Sequence, residues 1–284
     1  MILMPCFGGK VMAKKPSKAT PIGAPSMLKV ERAREHISSL NTEIRDYLAR
    51  RPFVLMFEKD AKAGKESLVV KTKEAVPDRI PIIMGDAIHN LRSSLDILIF
   101  QMIGEKAQKI ENVAFPFAKS LTAFETALSN REITTLAPKK VVDELKALKP
   151  YPGGNDKLYG VHLLNNVDKH RLILTTHALT AMSADEASKI HPMLHRFRGA
   201  GILVSNNDRP FTRAVTVHGS RAARRQHEAT TRKAVPTYEE TKRQPAFQIG
   251  IGKGQPFENM QVVRALIDAA DVVEATIKRL HKLC

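Results

Sequence analysis

The chain has 284 residues, 43% hydrophobic and 26% charged, the balance of a water-soluble globular fold with room for a sizeable core. No apolar run reaches the roughly 18 residues needed to cross a bilayer, and two cysteines, Cys6 and Cys284, exclude a disulfide framework. With 45 Lys and Arg against 29 Asp and Glu, the net charge of +16 points to RNA or another polyanion as partner, in a reducing, cytoplasmic setting.

Residues 1–26 hold Lys10, Lys14, Lys15 and Lys18, no acidic residue, and several Pro and Gly. This is the composition of a disordered basic tail, and Met12 or Met27 would serve equally as a start. From Ser26, a candidate N-cap, apolar residues Val30, Ala33, Ile37, Leu40, Ile44 and Tyr47 recur at helical spacing. They predict a helix over 27–51, ended by Pro52. "FVLMFEKD" and "ESLVVKTK" flank "AKAG" and read as a β-hairpin over 53–75. A second long helix is expected over 79–104.

Ser120 caps a short helix in "SLTAFETALSN", and Pro138 opens another over 138–149, with Pro150 beyond its end. After the turn "YPGG", "NDKLYGVHLLNNVDKH" predicts a helix over 155–170. Strands are expected within 171–254, in "RLILTTHAL", "HRFRGAGILVS" and "AFQIGIG", around a polar insertion at about 206–245 expected to be mobile. A last helix over 256–283 has Met260, Val263, Ile267, Ala270, Ile277 and Leu280 on one stripe, suited to packing on the first two helices. The fold class is therefore α+β: a helical bundle with a small antiparallel β-sheet packed alongside, in one domain over 27–284.

Two helices carry polar residues in apolar surroundings. In "GDAIHNLRSSLDILIF", His89 and Asp96 lie opposite the apolar face with Arg92 to one side, while the following turn is apolar all round, so this polar side faces a cleft or another element. In "LYGVHLLNNVDKHR", Asp168 projects from the apolar face, and Arg171 from its edge. A buried aspartate needs a partner. Arg92 is the first choice and Arg171 the second, since a guanidinium fork matches a carboxylate. His162, Asn166 and His170 lie together on another side of the same helix. Asn90, Asp96, Asn166, Asp168 and Lys169 fit a structural polar network, and His89, Arg92, His170 and Arg171 fit catalysis.

"GDAIHNLRSSLD", "FPF", "LKPY" and "NNVDKHR" occur in that order, and together resemble a widespread bacterial family marked by GDxxHNLRSxLD, QPY and NxxDKHR. Lys149 stands where that pattern has glutamine. The resemblance implies a shared site and no particular activity. A weaker resemblance is to HEPN domains, helical bundles that include metal-independent ribonucleases with an arginine four to six residues before a histidine. "RLILTTH", Arg171 to His177, has that spacing, but "LILTT" reads as strand where the HEPN motif opens a helix. A HEPN-like arrangement here would use His89 or His170 with Arg92 or Arg171: histidine moves a proton, and arginine stabilises the phosphorane charge.

His89, Asp96, His162, Asp168 and His170 are the residues a metal would use, but Lys169 and two arginines crowd the same motifs and no ligand spacing is present, so neither metal nor cofactor is expected. "IGIGKGQPF" matches no phosphate-loop pattern and reads as a strand running into a turn. Residues 206–245 carry Arg209, Arg213, Arg221, Arg224, Arg225, Arg232, Lys233, Lys242 and Arg243 against Asp208, Glu228, Glu239 and Glu240. Of these, Arg221, Arg224, Arg225, Arg232 and Lys233 are the candidates to follow a phosphate backbone. The expected function is a nucleic-acid-directed protein, a HEPN-like metal-independent ribonuclease of defence or toxin type. The alternative is a non-catalytic interaction module whose His, Arg and Asp motifs hold the bundle together. A membrane partner is not expected, and the sequence is silent on homo-oligomers.

Overall fold

The structure, a computed structural model, describes residues 21–60, 65–109, 113–171, 176–182, 189, 201–206, 211–213, 216–218, 237–240, 246–252 and 254–283. Seven α-helices are described: α1 (Ala24–Ala49), α2 (Arg79–Ile103), α3 (Leu121–Asn130), α4 (Ile133–Leu136), α5 (Lys139–Leu148), α6 (Asp156–Arg171) and α7 (Val262–His281). A 3-10 helix, Gly104–Lys109, follows α2. Eight strands are described: β1 (Phe53–Asp60), β2 (Lys65–Thr72), β3 (Thr176–Met182), β4 (Gly201–Asn206), β5 (Phe211–Arg213), β6 (Thr216–His218), β7 (Thr237–Glu240) and β8 (Gln248–Ile251). The α+β class expected from periodicity is the observed one.

Helix α1 lies along α2, and α7 packs against α1, α2 and α6, as the apolar stripes require. Val30, Ile37, Leu40, Leu91, Leu95, Leu98, Leu266, Val273 and Ile277 meet in one core. Arg34 fastens α1 to α7 from outside, donating to Asp271 (2.8 Å) and Glu274 (2.6 Å). The strands form two four-stranded antiparallel sheets rather than one, in the orders β5-β2-β1-β7 and β6-β4-β3-β8. The predicted hairpin pairs Phe53 with Thr72 and Asp60 with Lys65. Phe53, Leu55 and Val70 turn into the helical core, as do Ile249 and Ile251 of β8. Tyr47 joins helix to hairpin: its hydroxyl donates to the Glu74 carbonyl (2.8 Å), and its ring meets Phe53 edge-on.

Four local expectations need correction. Ser26 does not cap α1. The helix starts at Ala24 with Pro25 in its first turn, and Ser26 is buried inside it. Proline needs no N–H there and comes with helical φ, so residues 24–26 belong to the helix rather than the tail; residues 1–20 lie outside the described residues. Helix α7 starts at Val262 rather than 256, because the chain first makes a tight loop with Phe257 and Asn259 at positive φ (62° and 63°). Gln261 then caps it by accepting the Arg264 N–H (3.0 Å). Ile267, placed on its apolar stripe, is among the exposed residues, and Leu266 takes the inward position. Within the polar insertion, β5, β6 and β7 are strands that extend both sheets, so the insertion is not wholly irregular.

Candidate functional site

The four sequence motifs converge where α2 crosses α6. Phe115, in the stretch between the 3-10 helix and α3, donates its backbone N–H to Asp96 Oδ1 of α2 (2.8 Å). Ala118 donates to the carbonyl of Pro150, at the turn after α5 (3.4 Å). Lys149, the departure from the QPY pattern, sits at the α5 C-cap with φ 49°, its carbonyl accepting from Tyr151 and Asn155 (2.8 Å each). Asn155 in turn caps α6 through the Leu158 N–H (3.0 Å). Backbone hydrogen bonds thus bind "FPF" and "LKPY" to the two polar helices.

At one end of the α2–α6 seam, Arg92 is 8% exposed and pairs with Asp96, one turn on along its own helix. The Arg92 guanidinium lies 4.8 Å from the Phe117 ring centroid, and the His162 ring stacks on the same phenyl group at 4.8 Å and 5°. Asn166 Nδ2 lies 3.1 Å from His162 Nε2. Burial above all, then the charges of Arg92, Arg131 and Lys169, pushes the His162 imidazole down to about 4, so the ring is neutral at physiological pH. Arg131, at the C-cap of α3, donates Nη1 to the carbonyls of Ala114 (3.1 Å) and Phe115 (2.6 Å). Burial lowers its guanidinium pKa, Arg92 lowers it further, and Asp96 opposes both.

At the other end, Asp168 is set directly on Gly85. A Cβ at that glycine would fall 2.8 Å from Asp168 Cγ and 2.9 Å from Oδ2, so only a glycine lets the carboxylate approach the α2 backbone. Burial, then the nearby Asp86, raises the Asp168 carboxyl above its ordinary value, against smaller opposing effects of His89 and Lys169. His89 is exposed, its Nε2 lying 3.4 Å from Ser93 Oγ; Lys169, also exposed, acts on both the Asp168 carboxyl and the His162 ring.

The expected Arg92–Asp168 ion pair does not form. Gly85 meets Asp168 while Arg92 lies within electrostatic reach of His162, so the helices run antiparallel along the seam. That direction puts Arg92 about two turns of α2 beyond the aspartate. Asp168 does face α2, as its place on the apolar side of α6 implied, but it meets a glycine backbone; among the described residues it has no ion-pair partner. Asn90 is structural, accepting from Lys29 Nζ of α1 (3.3 Å) and donating to the Asp86 carbonyl (2.8 Å). His170 and Arg171 close α6, but their side chains lie outside the described residues. Arg221, Arg224, Arg225, Arg232 and Lys233 also lie outside them. Arg171 ends a helix rather than opening one, as the HEPN arginine would, and His177 sits in β3; residues 172–175 between them lie outside the described residues.

Sequence reasoning missed Arg131 and Gly85. Arg131 carries no local signal, being one basic residue in the turn between two short helices. Gly85 did have one: a glycine in the interior of an otherwise well-formed helix marks a close approach. Among the described residues no group of three His, Cys, Asp or Glu is placed to hold a metal ion, and no helix is long and apolar enough to cross a membrane. A separate cleft of about 750 Å³ lies at the other end of α6, walled by Tyr159, Leu163, Pro256, Phe257 and Met260. The Phe257 ring closes on Gly160, where a Cβ would fall 2.5 Å from its Cζ.

Comparison with known proteins adds nothing to the geometry. No family model, no curated protein and no solved structure matches the chain.

Proposed function

We propose that the protein is directed to nucleic acid, with the α2–α6 seam as its working face and RNA cleavage without a metal as its chemistry. The observation that carries this reading is the outer end of the seam, where exposed His89 stands near Asp168, a carboxyl held above its ordinary value by burial and by Asp86. A histidine beside a partly buried carboxyl can hold and pass a proton, which is what acid–base catalysis requires. In HEPN-like cleavage the 2′-oxygen attacks phosphorus as a base takes its proton. The bond to the 5′-oxygen breaks as an acid protonates it, leaving a 2′,3′-cyclic phosphate and a 5′-hydroxyl. His89 is one proton carrier, and His170, in the last turn of α6, is the other. Arg92 is buried and paired with Asp96 at the inner end of the seam, so Arg171 is the arginine of the motifs assigned to the phosphorane. The net charge of +16 brings the polyanion in. The ordered motifs, like those of the bacterial family they resemble, would then mark one shared site.

A second reading, the interaction module, rests on Arg92 itself: buried, paired with Asp96 and stacked on Phe117, it is explained as part of a structural network. The deciding experiment incubates purified full-length protein with several RNAs in EDTA, comparing wild type with folded His89→Ala and His170→Ala variants. Cleavage in EDTA that falls at least about a hundredfold in either variant supports the enzyme. Salt-sensitive RNA binding with no cleavage assigns the module instead.

A further inference from the structure

We infer that the inner end of the same seam, between Arg92 and Arg131 with Lys169 at its edge, is a binding site for a phosphate group. The inference rests on the seam being the working face, but not on cleavage taking place there.

Charge balance is the first argument. Arg92 and Arg131, with Lys169 as a smaller influence, act on the His162 ring; the carboxylate facing the two arginines is Asp96, while Lys169 also faces Asp168. Asp96 is already occupied by Arg92 and by the Phe115 N–H. Arg131 is half-buried and donates only to main-chain carbonyls, with no ion-pair partner among the described residues. Half-burying a second guanidinium beside Arg92 without a second carboxylate is unfavourable, and a bound anion would offset that cost.

Hydrogen-bonding capacity is the second argument. A guanidinium has five N–H donors. Arg92 uses Nη1 on Asp96, and Arg131 uses Nη1 on the two carbonyls, which leaves the Nε and Nη2 donors of both. His162 points the same way. With Asn166 Nδ2 donating to Nε2, the neutral ring carries its proton on Nδ1, a buried atom that has no hydrogen-bond partner among the described residues. The inner end of the seam is therefore rich in unused donors. A tetrahedral oxyanion, with several acceptors and up to two negative charges, meets this need better than chloride, and guanidinium forks match its edges. Phe117, packed against both Arg92 and His162, holds the donors apart in a fixed arrangement.

Phosphate reaches such a site as the free ion or as the terminal phosphate of a nucleic acid. Calorimetric titration of the full chain with inorganic phosphate, at matched ionic strength in chloride, should give saturable one-site binding. Arg131→Gln should weaken it about tenfold or more, as removal of one charge-assisted donor group does. Because Arg131 also anchors Ala114 and Phe115, the exposed Lys169→Gln serves as a second variant, with an expected loss of about threefold. An RNA oligonucleotide bearing a 5′-phosphate that binds more tightly than its 5′-hydroxyl twin, and is displaced by free phosphate, identifies the nucleic-acid end as the source. Equal binding of the two oligonucleotides identifies the free ion. His89→Ala should abolish cleavage while leaving phosphate binding intact, so the site can stand even if the cleavage reading fails. Non-saturable binding, or wild-type affinity in both Arg131→Gln and Lys169→Gln, would overturn it.

Discussion

Replacing Gly85 with alanine tests the seam most directly, because two opposing effects act at one atom. In the interior of a helix such as α2, glycine to alanine ordinarily stabilises by about 0.5–1 kcal/mol. Here the new methyl group would fall under 3 Å from the Asp168 carboxylate, and overpacking of that kind costs about 1–3 kcal/mol. The obstacle is a side chain rather than backbone, so the lower half of that range applies. The net expectation is a loss of about 1 kcal/mol, or about 3 °C in a chain of this size. In an Asp168→Ala background the obstacle is gone and the same substitution should stabilise. The coupling between the two positions should then be about 1–2 kcal/mol. Urea denaturation of the four proteins, followed by circular dichroism, measures it. If Gly85→Ala stabilises the wild type, or the coupling is below about 0.5 kcal/mol, the carboxylate does not sit on Gly85.

Asp168→Asn should not cost the several kcal/mol of a stranded ion-pair partner. Its carboxyl is raised in the fold, so the charged form opposes folding at neutral pH; the variant should gain up to about 1 kcal/mol there, fading as pH falls through the folded value. His162 gives a stability slope in acid. Its folded value of about 4 lies below the ordinary 6.5, so the unfolded chain takes up the proton first. Stability should be lost as pH falls from about 6.5 to 4, by about 1–3 kcal/mol after allowing for partial exposure, and His162→Gln should flatten that slope in pH-dependent melting curves. Gly160→Ala should dislodge Phe257 at about 1–3 kcal/mol, partly offset by the roughly 0.5–1 kcal/mol that alanine gains in a helix, for a net lowering of Tm; a raised Tm would show that the ring does not close on the helix.

Elements were legible wherever periodicity or punctuation marked them. The stripe from Val30 to Tyr47 and the Ser120 cap, which accepts the Ala123 N–H (3.2 Å), stand as read. The strand status of β5, β6 and β7 was hidden because short segments become strands by pairing with remote partners, as Val70 does with Thr212 and Phe57 with Glu239. For the site, helical phase showed that Asp168 faces inward but not what it meets there. That depends on the direction in which α6 crosses α2, which no single helix encodes. Arg131 was invisible for the same reason: it reaches the seam through the carbonyls of Ala114 and Phe115, and its neighbours in sequence say nothing about them.

The position of α7 bears on how the fold is reached. The α1–α2 pair needs only the hairpin between its halves and can associate early, yet one side of that pair stays bare until α7 arrives. Among the described residues, four α-helices and six strands must first be laid down. Closing so large a loop adds only a slowly growing entropic term, but contacts between sequence-remote segments form late. A greasy, half-finished bundle is thus an obligatory stage of folding, exposed to other chains for as long as the last helix is awaited. Refolding yield should fall with protein concentration, and a synthetic α7 peptide added in trans should rescue it.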